Sequence, residues 1–228
     1  ARQVLADLKE AENLVMGARS EPQGTLVVTA PVVFGRTHAV PVVAELLRRH
    51  PRLTIQLLLL DRNVQMVEEG IDIAIRIGEL ADSSLHAVRL GEVRRVLVAS
   101  PAYLKAHGKP ASVADLRQHE IVAFTGISPS DEWRFGADGK SVVRVRPRLV
   151  LNNADAGIAA VKRGLGIGRF LSYQVAEDIA AGKLRTLLDG FTPAPAPVHL
   201  LFQANRSSSP NVRSFIEATK TYLQGALL

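Results

Sequence analysis

The sequence predicts an α/β fold in which parallel strands alternate with helices. After the break at Glu21–Gly24, the apolar run Thr25–Ala30 has the character of a buried strand. A helical pattern at Phe34–His50 precedes a second strand pattern at Leu53–Leu60, and a third strand pattern lies at Ile71–Ile77. Strands separated by helices in this order pair in parallel, with the helices covering the sheet.

Length and composition are those of a globular chain that buries a core without disulfides. The 228 residues suit one large domain or two of about 100 residues each, and 47% hydrophobic with 22% charged residues is ordinary for such domains. The absence of cysteine excludes disulfides and thiolate metal sites. A formal charge of +6 permits an anionic partner, but the dispersed arginines and 5% aromatic content do not indicate a nucleic-acid surface.

The N-terminal segment up to Ser20 has a helical apolar pattern with two explanations. Spacings that alternate between four and three describe either a dimerising linker helix or a helix packed on its own domain. Charges such as Asp7 and Lys9 argue against a signal peptide, and the chain has no run of about 18 apolar residues that predicts a membrane span. Because Ala1 already lies inside the pattern, we expect a fragment whose upstream part is missing, although a processed start gives the same sequence. The repeating residues are Val4, Leu8, Ala11, Val15 and Ala18.

The rest of the chain is a succession of short helical and extended patterns. Turn residues and hydrophobic period separate them. Helices are predicted at Arg62–Glu69, Pro101–Ala106, Val113–Arg117, Asn153–Arg163, Tyr173–Ala181 and Asn211–Leu223, and extended segments at Val88–Ala99, Ile121–Phe124, Trp133–Phe135, Ser141–Leu151, Gly166–Phe170 and Val198–Ala204.

Catalytic and metal-binding motifs are not found in this sequence. The six histidines are scattered singly, so no zinc site is predicted, and the adjacent acids Glu68 and Glu69 point apart on a helix. The glycines of RGLGIGRF end a helix where a nucleotide-binding loop would open one, which favours a helix C-cap and a turn into a strand. The arginines of RVRPR are predicted to share one strand face, where a solvated surface is favoured over an anion site. These residues are Gly164, Gly166 and Gly168, and Arg144, Arg146 and Arg148.

Two charges interrupt the isoleucine-rich strand DIAIRIG. Residues two apart share a strand face, so the isoleucines point one way, and Asp72 and Arg76 point the other way. A rise of about 3.3 Å per residue separates Asp72 from Arg76 by roughly 13 Å. We therefore expect each of them to have another partner.

The loops that follow the strands suit a small ligand. Ligands in open α/β sheets bind at the carboxyl ends of parallel strands, which here are Ala30, Leu60 and Ile77. Pro31–Phe34 leads into a helix whose N–H groups could hold an anion, and Asn152 or Asn153 is a candidate N-cap of another helix. Each feature alone is ordinary capping, and together they predict a two-lobed cleft.

Long phrases of this sequence resemble the regulatory domain of LysR-type transcriptional regulators. The segment DRNVQMVEEGIDIAIRIGELADSSLHAVRLGEVRRVLVASPAYLKAHG carries the closest resemblance. APVVFGRTHAVPVVAELLRRHP, NNADAGIAAVKRGLGIGRFLSYQVAEDIAAGKL and SSSPNVRSFIEATKTYL match further segments of the family. The resemblance extends over nearly all of Gln23–Leu223.

The resemblance implies a periplasmic-binding-protein-like (type 2) fold of two α/β lobes with two interlobe crossovers, preceded by a linker helix. Lobe one is expected at 24–98 and 198–228, and lobe two at 99–197, with crossovers near Ala99–Ser100 and Pro195–Val198. Residues 1–20 fall where the family has its linker and dimerisation helix.

The resemblance also implies that a small-molecule effector, aromatic or carboxylate, binds in the interlobe cleft. Asp72 is expected to be structural, whereas Arg76 is expected to hold the lobe–lobe region or an anionic effector. Arg169 favours an acidic effector if it faces the cleft and says nothing if it faces solvent. The predicted effector-binding residues are Ala30, Pro31, Val32, Val33, Phe34, Arg76, Gly78, Phe124, Thr125, Gly126, Asn152 and Asn153.

In function, the resemblance implies a cytoplasmic, homo-oligomeric sensor, a dimer or tetramer, that has no cofactor and no membrane partner. Such a chain contacts DNA only through an N-terminal helix-turn-helix domain that this sequence does not contain. Effector binding would shift the population of oligomer arrangements. A solute-binding receptor for transport shares the fold and is the alternative; an enzyme on the same fold lacks a nucleophile–base set.

Overall fold

The computed structural model describes residues 21–80, 84–126 and 131–225. The predicted linker helix at 1–20 lies outside these residues. The described chain forms two compact units. The first unit contains the residues up to Gly91 and those from Val198 onward, and the second contains Glu92–Pro197.

The strands and helices are numbered here along the chain. The strands are β1 Gly24–Ala30, β2 Leu53–Leu59, β3 Ile73–Ile77, β4 Leu85–Val93, β5 Arg95–Ala99, β6 Ile121–Phe124, β7 Glu132–Phe135, β8 Ser141–Arg144, β9 Pro147–Leu151, β10 Ile167–Leu171, β11 Arg185–Leu187 and β12 Ala196–Gln203. Helix α1 comprises Val32–Phe34, a π-helical segment Gly35–Ala39 and Val40–Arg49; the others are α2 Pro101–His107, α3 Ala154–Lys162, α4 Ser172–Ala180 and α5 Pro210–Gly225. Short 3-10 segments lie at Val113–Gln118, Asp189–Phe191 and Ala204–Arg206.

The first unit is built on a sheet of order β2-β1-β3-β12-β4. Strand β1 runs parallel to β2 and to β3, and β12 runs antiparallel to β3. Ile73 and Ile75 of β3 are fully buried, as expected for a central strand of a covered sheet. Helix α1 packs against α5. Phe215 and Thr219 of α5 are buried.

The second unit has its own sheet, of order β11-β5-β10-β6-β9. Strands β6, β9 and β10 are parallel neighbours, whereas β5 is antiparallel to both β10 and β11. The hairpin β7–β8 packs on this unit through Trp133, Phe135 and Val143, which join a core cluster with Ile121 and Ile167. Two mixed five-stranded sheets with helices confirm the predicted α/β class.

The glycine-rich stretch after α3 has the structural role that the sequence favoured. Arg163 ends the helix, and Gly164 follows with φ +80° and donates its N–H to the Val161 carbonyl. Gly166, at φ +150°, lies so close to the Glu120 carbonyl that an added Cβ would overlap it. These glycines turn the chain from a helix into β10, so this prediction is confirmed.

The predicted helix at Arg62–Glu69 is wrong. Residues 63–65 have no regular secondary structure and 66–70 form turns, and the Glu69 N–H donates to the Gln65 carbonyl at 2.9 Å. The Arg62 and Glu69 side chains form two hydrogen bonds of 2.9 and 2.7 Å, and these bonds lower the pKa of Glu69 to about 2. The Arg62–Glu69 side-chain pair therefore stabilises this segment in place of the helical backbone hydrogen bonds that the prediction implied.

Two long extended predictions are each divided in the structure. Val88–Ala99 contains the end of β4 and all of β5, which belong to different sheets, because the chain leaves the first unit after Gly91. The first crossover therefore lies earlier than the expected Ala99–Ser100. Ser141–Leu151 is likewise divided into β8 and β9.

The division of Ser141–Leu151 also removes the predicted strand face of three arginines. Arg144 ends β8, Arg146 lies between the strands and Arg148 belongs to β9. All three are exposed. Arg144 pairs with Asp131 at 2.8 Å and Arg148 with Glu120 at 3.6 Å. This arrangement is a solvated surface, which the sequence analysis favoured over an anion site.

Candidate functional site

The predicted residues of the first unit lie together at one edge of its sheet. Ala30 pairs with Leu59, and Thr29 pairs with Ala74 in the parallel register. Continuing that register by two residues places Arg76 level with Pro31. Gly78, at φ +118°, follows β3 at the same edge, so the carboxyl ends of the two neighbouring strands β1 and β3 present residues 30–34, 76 and 78.

The first amide of α1 already binds a carboxylate of this chain. Val32 N–H donates to Asp61 Oδ1 at 3.0 Å, and Gly35 N–H donates to the Pro31 carbonyl at 2.7 Å. Of the N–H groups that the sequence analysis offered to an anion, the Val32 N–H is thus occupied by the carboxylate of Asp61, which lies two residues after β2. Val33 and Phe34 are 2% and 1% exposed, so their side chains belong to the core of the unit.

Arg76 is a half-buried cation held by the turn segment that follows β2. Its Nη1 donates to the Arg62 carbonyl at 3.0 Å. Burial and the Arg62 charge lower the pKa of Arg76, and Glu69 opposes this shift. His199 of β12 is its direct neighbour across the antiparallel pair. Arg76 thus links the end of β3 to the Arg62–Glu69 segment.

Asp72 has the structural role that was predicted for it. Its Oδ2 accepts a hydrogen bond of 2.8 Å from Val27 N–H, and its own N–H donates to the Val27 carbonyl at 2.9 Å. Arg206 lies 3.6 Å from Oδ1, and both side chains are largely buried. Asp72 and Arg76 therefore have separate partners, as the strand geometry required.

The predicted residues of the second unit lie at the carboxyl edge of its sheet. Phe124, the last residue of β6, pairs with Leu151, the last of β9. The Phe124 ring is buried and stacks on Phe170 with centroids 6.4 Å apart. An added Cβ at Gly126 would overlap the Phe124 ring, so the chain can turn back over this ring only with glycine at that position.

Most of the predicted polar groups at this edge form hydrogen bonds within the protein. Thr125 donates both its N–H and its Oγ1–H to the Leu151 carbonyl, at 2.9 and 3.2 Å. Asn153 Oδ1 accepts from Ala156 N–H at 2.9 Å and caps α3, which settles the N-cap in favour of Asn153. Asn152 is exposed at the same edge. Of the predicted polar side chains of this unit, Asn152 is thus the one that the described contacts leave facing solvent.

Arg169 is buried in the second unit. It lies in β10 two residues before the strand ends and is 8% exposed. Its Cζ lies over the Trp133 ring, 4.6 Å from the centroid. The sequence analysis left open whether Arg169 faces solvent, and the structure excludes a solvent-facing arginine.

Among the described residues, no group of three or more His, Cys, Asp or Glu side chains is placed to hold a metal ion. No helix in the described part of the chain is long and apolar enough to cross a membrane.

Residues 19–224 match the protein family described as the LysR substrate binding domain. This chain belongs to the LysR-type transcriptional regulators. It is 33% identical to the HTH-type transcriptional regulator PtxR of Pseudomonas aeruginosa over 98% of the chain and 72% of that protein. The matched relatives are transcriptional regulators, and the prediction that the chain is not an enzyme is confirmed.

Solved structures of LysR-type regulators share the fold. The chain matches CrgA of Neisseria meningitidis with a TM-score of 0.80 at 27% identity, covering 97% of this chain and 76% of that one. It matches the regulatory domain of CrgA at 0.78, covering 89% of this chain and 100% of that one, and the regulatory domain of AphB of Vibrio vulnificus at 0.74, with 87% and 100% covered. The predicted periplasmic-binding-protein-like fold is confirmed as that of a LysR regulatory domain.

Sequence reasoning missed Asp61 and the partner of Arg169 in this regulatory domain. Asp61 directly follows the LTIQLLLL strand pattern at a carboxyl edge, which is a usable signal for a residue of the site. The contact of Arg169 with Trp133 joins two strands far apart in sequence, and no local pattern predicts it.

Proposed function

We propose that this regulatory domain is the effector-sensing and oligomerising part of a cytoplasmic DNA-binding transcriptional regulator. A small-molecule effector binds at the carboxyl-edge residues described above. Copies of the chain associate as a dimer or tetramer. DNA is bound by a separate N-terminal helix-turn-helix domain.

The observation that carries the proposal is the grouping of the predicted residues at carboxyl edges. In the first unit Thr29 pairs with Ala74, and Pro31 and Arg76 each lie two residues further on; in the second unit Phe124 pairs with Leu151, directly before Thr125 and Asn152. Carboxyl edges of parallel strands are the usual ligand sites of α/β sheets. The proposed effector-binding residues are Ala30, Pro31, Val32, Val33, Phe34, Arg76, Gly78, Phe124, Thr125, Gly126, Asn152 and Asn153.

These residues divide into backbone, apolar and polar contributions. Val33, Phe34 and Phe124 are buried and shape the edges from below. Ligand contacts at residues 30–34 therefore come from the backbone and from the half-buried Pro31 and Val32. Asn152 and Arg76 offer side-chain hydrogen-bond donors that orient a polar ligand.

Effector binding regulates through a shift between oligomer arrangements. A ligand shifts such an equilibrium only by the difference in its affinity for the two states. Coupling of about 1 to 3 kcal/mol, typical of allosteric proteins, changes affinity between about 5- and 150-fold.

The experiment is a thermal-shift screen of the purified chain against small metabolites, followed by sedimentation velocity with each hit. The expected result is at least one compound that raises the Tm and also changes the sedimentation profile. Asn152→Ala is expected to weaken binding of the hit. Asn205→Ala is the matched control, because the exposed Asn205 follows β12, which runs antiparallel to β3 and so ends at the opposite sheet edge.

Two results would contradict the proposal. One is a complete screen without a stabilising compound. The other is a hit whose affinity falls equally in Asn152→Ala and Asn205→Ala.

A further inference from the structure

Two histidines flank the buried Tyr103 at the amino ends of the parallel strands of the second unit. The Tyr103 ring, 3% exposed, stacks on His107 with centroids 4.5 Å apart and lies 5.8 Å from the His119 ring. His107 ends α2, and His119 directly follows the 3-10 segment Val113–Gln118. Because His119 comes just before β6, whereas Phe124 ends that strand, the cluster lies at the sheet edge opposite the predicted effector residues of this unit.

The hydrogen bonds of the Tyr103 hydroxyl determine which ring nitrogen of His119 carries the proton. Glu120 N–H donates to Tyr103 Oη at 3.0 Å, and Tyr103 Oη lies 3.1 Å from His119 Nδ1. A backbone N–H can only donate, so the hydroxyl accepts from Glu120 and has its own hydrogen to give. That hydrogen is satisfied when His119 Nδ1 accepts it, and an accepting Nδ1 requires a neutral ring with its proton on Nε2.

Protonation of His119 is incompatible with this bond. An imidazolium carries a hydrogen on both nitrogens, so Nδ1 no longer accepts, and the Tyr103 hydroxyl then meets an N–H donor on each side. Burial, followed by the His107 charge, lowers the pKa of His119, and Asp115 opposes this shift. The neutral ring is therefore the form that the folded second unit favours at neutral pH.

The charged groups of the elements packed here give a proton on His119 little compensation. The Asp115 carboxylate accepts two backbone N–H bonds of 2.9 Å from the residues before the 3-10 segment, and the Glu120 carboxylate pairs with Arg148 at 3.6 Å. Strand β8 packs on the 3-10 segment. The other titratable or charged side chains of α2 near the cluster, of the 3-10 segment and of β8 are basic, and they are Lys105, His107, Arg117 and Arg144.

The Tyr103 hydroxyl connects α2 to the start of two strands. Glu120 donates its N–H to Tyr103, and its carbonyl accepts the Ile167 N–H at 2.8 Å. Ile167 pairs with Ile121 at the start of the β6–β10 ladder, and both belong to one core cluster with Tyr103. Loss of the bond to His119 therefore acts on the residue at which this ladder begins.

We propose that Tyr103 and His119 form a pH-sensitive hydrogen-bond switch, which holds α2 to the start of β6 while His119 is neutral and releases it in acid. His107 sets the pH of the transition, because its charge opposes a second charge on His119. The switch goes beyond the proposed function, since it responds to a proton and needs no effector.

The test follows the histidine ring nitrogens and the Glu120 amide of the chain by NMR between about pH 8 and about pH 5. At the upper end we expect neutral His119 with its proton on Nε2 and Nδ1 accepting a hydrogen bond. His119 is expected to titrate below about pH 6.5. Through that step the protection of the Glu120 amide against hydrogen exchange, corrected for the intrinsic rate at each pH, is expected to fall about tenfold.

Variants assign the pH dependence to the cluster. His119→Asn places an oxygen that cannot be protonated where Nδ1 accepts the Tyr103 bond, and it is expected to keep Glu120 protected throughout the range. His107→Gln removes the neighbouring charge and is expected to move the His119 titration and the loss of protection to higher pH together. His86→Asn changes an exposed histidine of the first unit and is expected to keep the wild-type profile.

Tyr103→Phe serves in place of His119→Asn if that variant does not fold. It removes the hydroxyl, and it is expected to lower the protection of Glu120 at every pH and to make that protection independent of the His119 titration.

Three results would overturn the proposal. The first is neutral His119 with its proton on Nδ1. The second is unchanged Glu120 protection while His119 titrates. The third is a loss of protection in His119→Asn, or a pH-dependent loss in Tyr103→Phe in its place, that follows the wild-type profile.

Discussion

Asp61 Oδ1 accepts a hydrogen bond of 3.0 Å from Val32 N–H, so a carboxylate in the loop after β2 caps the helix that follows β1. The two residues follow neighbouring parallel strands, since Ala30 at the end of β1 pairs with Leu59 at the end of β2. A carboxylate is favourable at a helix N-terminus because it satisfies an amide and complements the helix dipole. The Asp61 carboxylate held by this bond also places a negative charge at the sheet edge where the effector is proposed to bind.

Replacing Asp61 with alanine is expected to destabilise the chain by about 1 kcal/mol, the usual cost of losing a helix cap. Asp61→Asn keeps an oxygen that can accept the Val32 N–H bond and is expected to lose less. Urea unfolding followed by circular dichroism measures both. Equal losses in the two variants would mean that the charge, and not the hydrogen bond, stabilises this end of α1.

Removing the Asp72 side chain is expected to lower the free energy of unfolding more than removing that of Asp61. The Asp72 side chain accepts a hydrogen bond from a strand amide and lies near Arg206. Asp72→Ala leaves the Val27 N–H without its 2.8 Å acceptor and is expected to cost about 2 kcal/mol. Asp72→Asn can still accept that bond and is expected to cost about half as much. The free energy of unfolding in urea tests the order of the two variants. A fully stable Asp72→Ala chain would show that the bond is replaced by water.

Gly166 permits the close approach of two backbone segments in the second unit. Gly166→Ala places a Cβ against the Glu120 carbonyl, which a side-chain rotation cannot relieve, and the expected cost is about 2 to 3 kcal/mol. Gly190→Ala is the matched control because nothing lies within 4 Å of the added Cβ. Thermal unfolding of both variants checks the prediction, and a Gly166→Ala chain as stable as Gly190→Ala would refute it.

We expect His38 to make the first unit sensitive to acid. The side chain is 7% exposed and contacts the Phe34 and Tyr222 rings, with centroids 4.8 and 6.1 Å away. Burial lowers the pKa of His38. As the pH falls, His38 is therefore protonated at a higher pH in the unfolded chain than in the folded chain. Its contribution to the free energy of unfolding is complete above about pH 6.5 and is lost as the pH falls through the pKa of the folded state.

His38→Phe keeps a ring in the cluster and cannot be protonated. We expect the variant to lose less stability than the wild type between pH 6.5 and 5, as measured by urea midpoints across that range. Parallel pH profiles for the two proteins would show that protonation of His38 does not contribute to the acid sensitivity.

Local sequence patterns predicted the elements that neighbouring residues determine by themselves. The strand at Ile121–Phe124 was predicted with its observed bounds, because a buried run between turn residues is distinctive. Asn153 was predicted as a candidate N-cap, and its side chain does accept the Ala156 N–H bond. These features depend on spacings of a few residues, which the sequence displays directly.

Features that depend on contacts between distant segments were not predictable in the same way. The stretch Val88–Ala99 has one continuous extended pattern, yet its two halves pair with different sheets. The burial of Arg169 depends on Trp133, which a separate hairpin supplies. Local patterns carry no information about which strand or hairpin lies opposite a residue.

The most direct test of the account is sedimentation velocity of the chain at constant concentration, with and without a compound that the thermal screen identifies. The account predicts that the compound shifts the distribution of oligomers in the wild type and in Asn205→Ala, and that Asn152→Ala needs a higher concentration for the same shift. A compound that binds at the carboxyl edge, as judged by the Asn152→Ala affinity, and leaves the distribution of oligomers unchanged would contradict it.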